Sequence, residues 1–354
     1  MEKLKLYASK DLEELRNLQD PLADKAVKPL IDRPNLIDTI NEWKKIPAQL
    51  PGNFPTELAS FFEFYQSDNT LLELPKILAS QSYFAREGNK YLALLGLNSL
   101  PYCYAFADGA QVLARSKRIL NHPGERLLET AWFVVDSFKP GAFLHESGPL
   151  LSIAKVRLIH AISRYFIKNH DRGWNPSWGL PINQEDMLGT NLAFSLMVFR
   201  GLRKMGKPLS KDIAEALLHY WKIIGHYLGL EIKYWPENMA EASYLEKAIR
   251  KRHLKASAEG QILMKNLLSF YEMGKQPFAP LSKYLVRYFL GPEISDCLKI
   301  SQGPIPENLT PVLLNLSFTR PFYTSSHQKL AFELQKQAKE IFGRTVQLSL
   351  PKLT

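Results

Sequence analysis

With 354 residues, 45% hydrophobic and 23% charged, the chain has enough apolar side chains for a packed core, which excludes extended disorder. The net charge of +10 is moderate, and its densest basic stretch, Glu246 to Lys255, lacks the interleaved aromatics of a nucleic-acid groove; it reads as a solvated helical face, or one weakly drawn to anionic membrane surfaces. Two distant cysteines, Cys103 and Cys297, exclude a disulfide framework, a zinc ribbon and a CxxCH attachment motif, and a reducing compartment fits best.

Leucine dominates the apolar set and valine is scarce, which favours helix over sheet. The opening residues, MEKLKLYASKDLEELR, are charged throughout and lack the apolar run of a signal peptide, so a cytoplasmic protein is expected. Residues 1–60 read as an arm, with a short charged helix, then Asp20-Pro-Leu-Ala-Asp24 and proline-marked turns through Pro55. Residues 56–90 carry Leu58, Phe61, Phe62 and Tyr65 at helical spacing. The uncharged run Tyr91 to Ala107 is shorter than the ~20 residues of a membrane span and predicts a helix pair turning at Ser99-Leu100-Pro101. Further helices are predicted over 103–121, 124–138, 150–169 and 184–205, and from Ser210, an N-cap, to Gly229. Residues 233–354 continue as less patterned helices. No repeat or linker divides the chain. One domain over 1–354 is expected, with an arm (1–60), a core (61–235) and a C-terminal helical elaboration (236–354).

In the helix over 150–169, His160 shares a face with the apolar stripe of Val156 and Ile167. One reading is a core histidine hydrogen-bonded to a carbonyl. The other follows from Arg157 and Arg164, which lie at i−3 and i+4. A cation–imidazole–cation row inside a core demands an anion, and the guanidiniums favour the neutral imidazole that can ligate a metal. A cofactor's acidic groups or the protein's own carboxylates meet that demand equally well.

In the preceding helix, Arg126 and Thr130 interrupt an apolar face, with Glu129 beside them. An arginine and a hydroxyl so placed suit hydrogen bonding to an oxygen ligand that gains negative charge. A surface Arg126–Glu129 pair with an innocent threonine is the alternative. His219 and His226 are seven residues apart, too far along a helix to share one metal, and Glu185-Asp186 reads as a helix N-terminal cap. No HExxH, P-loop, dinucleotide fingerprint or paired ExxH is present.

Arg126-Leu-Leu-Glu-Thr130, Val156-Arg-Leu-Ile-His160-Ala-Ile-Ser-Arg164, and Gly179-Leu-Pro-Ile-Asn-Gln-Glu-Asp186 followed by Gly189-Thr190 together resemble the latex clearing protein and MpaB-type oxygenase family. Asp20-Pro-Leu-Ala-Asp24, Ser99-Leu-Pro101 with Tyr104, and Trp221 with Gly225 and Leu228-Gly229 extend the likeness over residues 20–235. The resemblance implies an all-α fold, a globin-like helical core with extra N- and C-terminal helices, holding one haem b. By the same likeness His160 is the iron ligand, Arg157 and Arg164 accompany it, and Arg126 and Thr130 stand on the opposite side. Relatives cleave carbon–carbon double bonds of polyisoprene or prenyl chains with dioxygen. Two positions depart from the family. Glu129 stands where rubber-cleaving members can carry lysine, and Ala110 where they use a glutamate base, so Glu129 is expected either to ligate the iron loosely or to assume the acid/base role. Phe194, Met197 and Leu228 are expected to line an apolar channel.

The expected function is therefore a haem-dependent oxygenase using dioxygen on a hydrophobic, unsaturated isoprenoid or lipid-like substrate. A haem-binding sensor or carrier and a haem-free helical scaffold are the alternatives.

Overall fold

Side-chain caps start many of the helices: Asp20 accepts from the Ala23 amide, Asn183 from Asp186, Ser210 from Ile213, Asn238 from Glu241 and Ser257 from Gly260. The computed structural model describes residues 2–67, 71–274, 281–302 and 326–353. Among the described residues there is no β-strand, only two isolated bridges, Phe106 with Leu254 and Ala142 with Glu146. The expected all-α class is the one found.

The arm contributes α1 (Glu2–Lys5), α2 (Ser9–Leu15), α3 (Pro21–Asp32) and α4 (Asn35–Glu42). The centre follows with α5 (Thr56–Ser67), α6 (Leu74–Leu94), α7 (Leu100–Tyr104), α8 (Ala107–Arg115), α9 (Lys117–Asn121), α10 (Pro123–Ser137) and α11 (Gly148–His170). Then come α12 (Gln184–Leu192), α13 (Val198–Lys204), α14 (Lys211–Tyr227), α15 (Met239–His253), α16 (Ala258–Met273), α17 (Ser282–Leu290), α18 (Pro292–Cys297) and α19 (His327–Phe342). The last ten described residues form an extended C-terminal strap.

Three predicted elements differ. The arm, read as proline-marked turns after its first helix, forms α3 and α4 as well: Pro21 takes the first turn of α3, where its missing N–H costs nothing, and Pro29 lies inside that helix. No turn forms at Ser99-Leu100-Pro101; a π-helical turn, Leu95–Ser99, joins α6 to α7 directly. Pro101 has no N–H for the carbonyl four residues back, and the widened turn absorbs that loss. The Tyr271 hydroxyl satisfies the Gly96 carbonyl at 2.8 Å. The single helix expected over 103–121 is divided into α7, α8 and α9. Its first break coincides with the Lys255 amide taking the Ala105 carbonyl at 3.1 Å. A second π turn, Ala193–Met197, joins α12 to α13, and the Tyr91 hydroxyl and Asn98 amide bind its Phe194 and Met197 carbonyls.

One continuous hydrophobic core runs from Tyr7 to Leu350. Helix α6 packs along α14, α3 along α11 and α5, and α19 along α10. At its centre Phe138 stacks between Phe84 and Tyr220, each 4.4 Å away between ring centroids. The arm is thus packed onto the centre through α3. No helix among the described residues is long and apolar enough to cross a membrane.

Candidate active site

A cavity of about 480 Å³ lies between α7, α8, α10, α11, α12 and α14, within the size range of small-molecule and cofactor pockets. Its walls are largely apolar, with Phe133 from α10, Val156 and Ile159 from α11, and Trp221 and Leu228 from the α14 region. His160, Arg126, Glu129 and Thr130 all line it. The residues singled out on two helices are therefore brought to one space.

His160 does not have the bonding of an ordinary core histidine. Its Nδ1 is buried without a hydrogen-bond partner, and among the described residues neither ring nitrogen makes a hydrogen bond. Burial, then the Arg164 and Arg126 guanidiniums, push its pKa down to about 3, so the ring is neutral at physiological pH. Of the two arginines beside it in sequence, Arg164 is the one that contributes to this shift.

The reason is in the arm. Asp20, the cap of α3, takes both Nε and Nη2 of Arg157, at 2.6 and 2.8 Å. Arg157 also lies over the Phe64 ring at 4.8 Å from its centroid. Asp24, one turn later, takes Nε of Arg164 at 2.6 Å. The anions facing these arginines are thus the protein's own carboxylates, delivered by the packing of α3 on α11, and neither arginine lines the cavity. Nη2 of Arg164 is buried without a hydrogen bond.

On α10, Nη1 of Arg126 donates to Oε2 of Glu129 at 2.9 Å. The Thr130 hydroxyl donates to the Arg126 carbonyl at 2.8 Å, leaving its oxygen lone pairs for the cavity. The ion pair and the cavity-lining position thus coexist. Ala110 is fully buried and is not among the lining residues.

Phe194 and Leu228 are in the wall, but Met197 is not. An uninterrupted α-helix would put residues 194 and 197 on one face; the π turn between them changes that register, and the Met197 sulfur lies 3.6 Å from Nη1 of Arg200. The Trp221 indole donates to the Tyr91 hydroxyl at 2.7 Å, which donates to the Phe194 carbonyl at 2.6 Å, fixing two wall residues together. Gly225 is needed nearby, because a Cβ there would come within 2.8 Å of the Asn191 amide.

Three lining groups carry no signal in sequence. The Cys103 thiol is pushed up to about 12 by burial and is therefore unreactive. Asp186, expected only as part of a helix cap, lines the cavity with Oδ1 bound to Arg16 at 3.1 Å and Oδ2 to Asn183 at 2.9 Å; burial raises its pKa. Its neighbour Glu185 is fully buried against His253 and Arg252. The C-terminal strap supplies Leu348, Ser349 and Pro351 to the wall. Asp186 depends on an arginine 170 positions away and the strap on chain-end packing, so local patterns were silent.

The family described as ER-bound oxygenase mpaB/B'/rubber oxygenase, catalytic domain, matches residues 96–313. The rubber oxygenase of Streptomyces sp. (strain K30) is 26% identical over 297 residues, covering 82% of this chain and 72% of that protein. The solved structure of a latex clearing protein in the closed state superposes with a TM-score of 0.76 over 95% of each chain, at 22% identity. With more than half its length matched, including α10, α11 and the cavity between them, the chain belongs to the mpaB/B' and rubber oxygenase family.

Proposed function

We propose that this protein is a haem b-dependent oxygenase acting on a hydrophobic, unsaturated substrate of the isoprenoid or lipid-like class, by oxidative cleavage of a carbon–carbon double bond. The carrying observation is His160, a neutral imidazole on the cavity wall whose Nδ1 is buried and has no hydrogen-bond partner among the described residues. Burying a polar group unpaired costs roughly 1–3 kcal/mol, so an interior imidazole with no protein partner for Nδ1 is a site that would be kept for holding a metal through its cavity-facing nitrogen. Among the described residues no three His, Cys, Asp or Glu side chains gather to hold a bare ion. A metal held by His160 would therefore bring further ligands of its own, as iron in a porphyrin does.

When bound, the haem supplies the oxygen chemistry. The chain's part is holding, orienting and excluding water. His160 would anchor the cofactor, and burial, with Arg164 and Arg126 beside it, keeps the ring from protonating. Arg126 presents a guanidinium to the space where dioxygen would be used, and Thr130, its proton engaged by the Arg126 carbonyl, presents its hydroxyl oxygen. Glu129, with Oε2 held by Arg126, lines the cavity as the carboxylate that would accept or return a proton or touch the iron. Phe133, Phe194, Trp221 and Leu228 exclude water and receive the alkene.

The visible spectrum of purified protein beside His160→Ala tests the reading. A Soret band that collapses in the variant is expected. A colourless wild type after haem loading sinks the proposal and leaves the scaffold. Oxygen uptake with short prenyl lipids separates the oxygenase from a sensor or carrier, which would keep the spectrum without consuming oxygen.

A further inference from the structure

The C-terminal strap follows α19, whose end is capped by Gly343 in the left-handed conformation. Arg344 first binds Glu125 at the start of α10, at 2.6 Å. The strap then turns back along α19, where the Gln335 side chain grips Val346 on both sides: its amide donates to the Val346 carbonyl at 2.9 Å and its carbonyl accepts the Val346 amide at 2.8 Å. Four residues on, Asn41 of α4 does the same to Leu350, at 3.1 and 2.8 Å. Leu348, midway between the clamps, is buried and lines the cavity with Ser349 and Pro351. Val346, Leu348 and Leu350 turn inward while Thr345 and Gln347 are exposed, the period-two pattern of an extended segment.

One side of the cavity is therefore closed by chain with no helix of its own, held by two side-chain amides from opposite ends of the sequence. The helices forming the other walls carry their own internal hydrogen bonds and share the continuous core. Opening the strap breaks the two clamps and draws Leu348 and Leu350 from the core, whereas moving a helical wall withdraws a whole helix face from it. The strap also lies outside residues 96–313, so the family match does not extend to it.

We propose that the C-terminal strap is the movable wall through which an apolar ligand reaches the cavity, with Gln335 and Asn41 as its latches and Leu348 as the side chain that sets the width of what is admitted. The cavity walls behind it are apolar, so the admitted ligand is an extended hydrocarbon-like molecule. The proposal concerns access to the cavity and extends the oxygenase reading without requiring a bound haem.

The experiment uses the full chain and 1-aminoanthracene, an apolar fluorophore that brightens on leaving water, followed by stopped flow. Thr190→Phe, which fills the cavity, identifies the signal belonging to it. Gln335→Ala and Asn41→Ala should each raise the association rate roughly tenfold, the order expected for two lost hydrogen bonds, and the double variant more. Hydrogen exchange at the Val346 and Leu350 amides should accelerate by a similar factor. Leu348→Ala should speed entry of bulkier anthracene derivatives more than that of the parent probe. Exchange that accelerates without faster probe entry overturns the proposal, as does an unchanged rate in the double variant. The probe kinetics are followed on the haem-free chain and the spectrum on the separately haem-loaded chain, so a missing Soret band after loading refutes the oxygenase reading alone and unchanged probe kinetics refute the strap alone.

Discussion

At His160, binding and folding pull in opposite directions. An unpaired buried imidazole weakens the fold, so a leucine of similar volume should relieve the polar cost while abolishing ligation. Haem-free His160→Leu is expected to unfold at a urea concentration equal to or above that of the wild type, by about 1 kcal/mol, and to take up no haem. A clear loss of stability would show that the ring has a structural partner. Glu129→Gln keeps the side chain's shape and removes its charge, leaving Arg126 without its ion partner. It should alter turnover with a prenyl substrate, or the haem spectrum if the carboxylate touches iron. Unchanged values for both would retire Glu129 from the site. The pair itself contributes little to stability, because the Arg126 side chain is 34% exposed.

Among the elements, α3 and α11 show what a sequence can and cannot disclose. The apolar period of α11 is local and was legible; α3 and its cap at Asp20 read as proline-marked turns, because Pro21 and Pro29 look like breaks although the first sits where a helix tolerates proline. That Asp20 and Asp24 neutralise Arg157 and Arg164 was not legible, because pairing across 137 and 140 residues depends on how two helices dock. The demand for an anion was readable in the arginine row; its source was not. Likewise the prolines located most helix ends, but Pro101 misled, since a π turn lets a helix pass a proline that an α-turn would not. Met197 left the cavity wall by the same kind of register change. The docking also yields a prediction. Asp20 and Arg157 are each about 94% buried at the side chain, and removing one partner strands the other charge. Asp20→Asn should cost about 3–5 kcal/mol in urea unfolding. Asp20→Leu with Arg157→Met should recover much of that loss. Gly229 seals the pair: φ is 87°, and a Cβ there would lie 2.3 Å from Oδ2 of Asp20. If Asp20→Asn costs under 1 kcal/mol, solvent reaches the pair and the docking is looser than described.

Across the whole molecule, four separated segments meet at His253. The ring, at the end of α15, lies 2.9 Å from Oε2 of Glu185 in α12 and 3.4 Å from Oδ2 of Asp108 in α8. Arg16, following α2, sets Nη1 3.4 Å from the same ring and reaches Asp186 at the cavity. Arg252 adds a second cation on Glu185. Burial works to lower the His253 pKa and Arg16 opposes its charge, but Asp108 and Glu185 outweigh both, so the folded value lies above the usual 6.5. Stability from this ring is then fully present below pH 6.5 and is lost as pH rises through the folded pKa. His160, His219 and His327 are shifted downward, so their protonation in the unfolded chain weakens the fold below pH 6.5 and partly masks the effect. A difference between two proteins cancels that background. The melting temperature of wild type should exceed that of His253→Gln by several degrees at pH 6, and the gap should shrink toward pH 9. Because Arg16 and Asp108 join this network to the arm and to α8, the variant should also speed proteolysis of residues 1–20 at pH 6. A gap that stays constant with pH would mean that the ring is neutral in the fold and acts only as a hydrogen-bonding spacer.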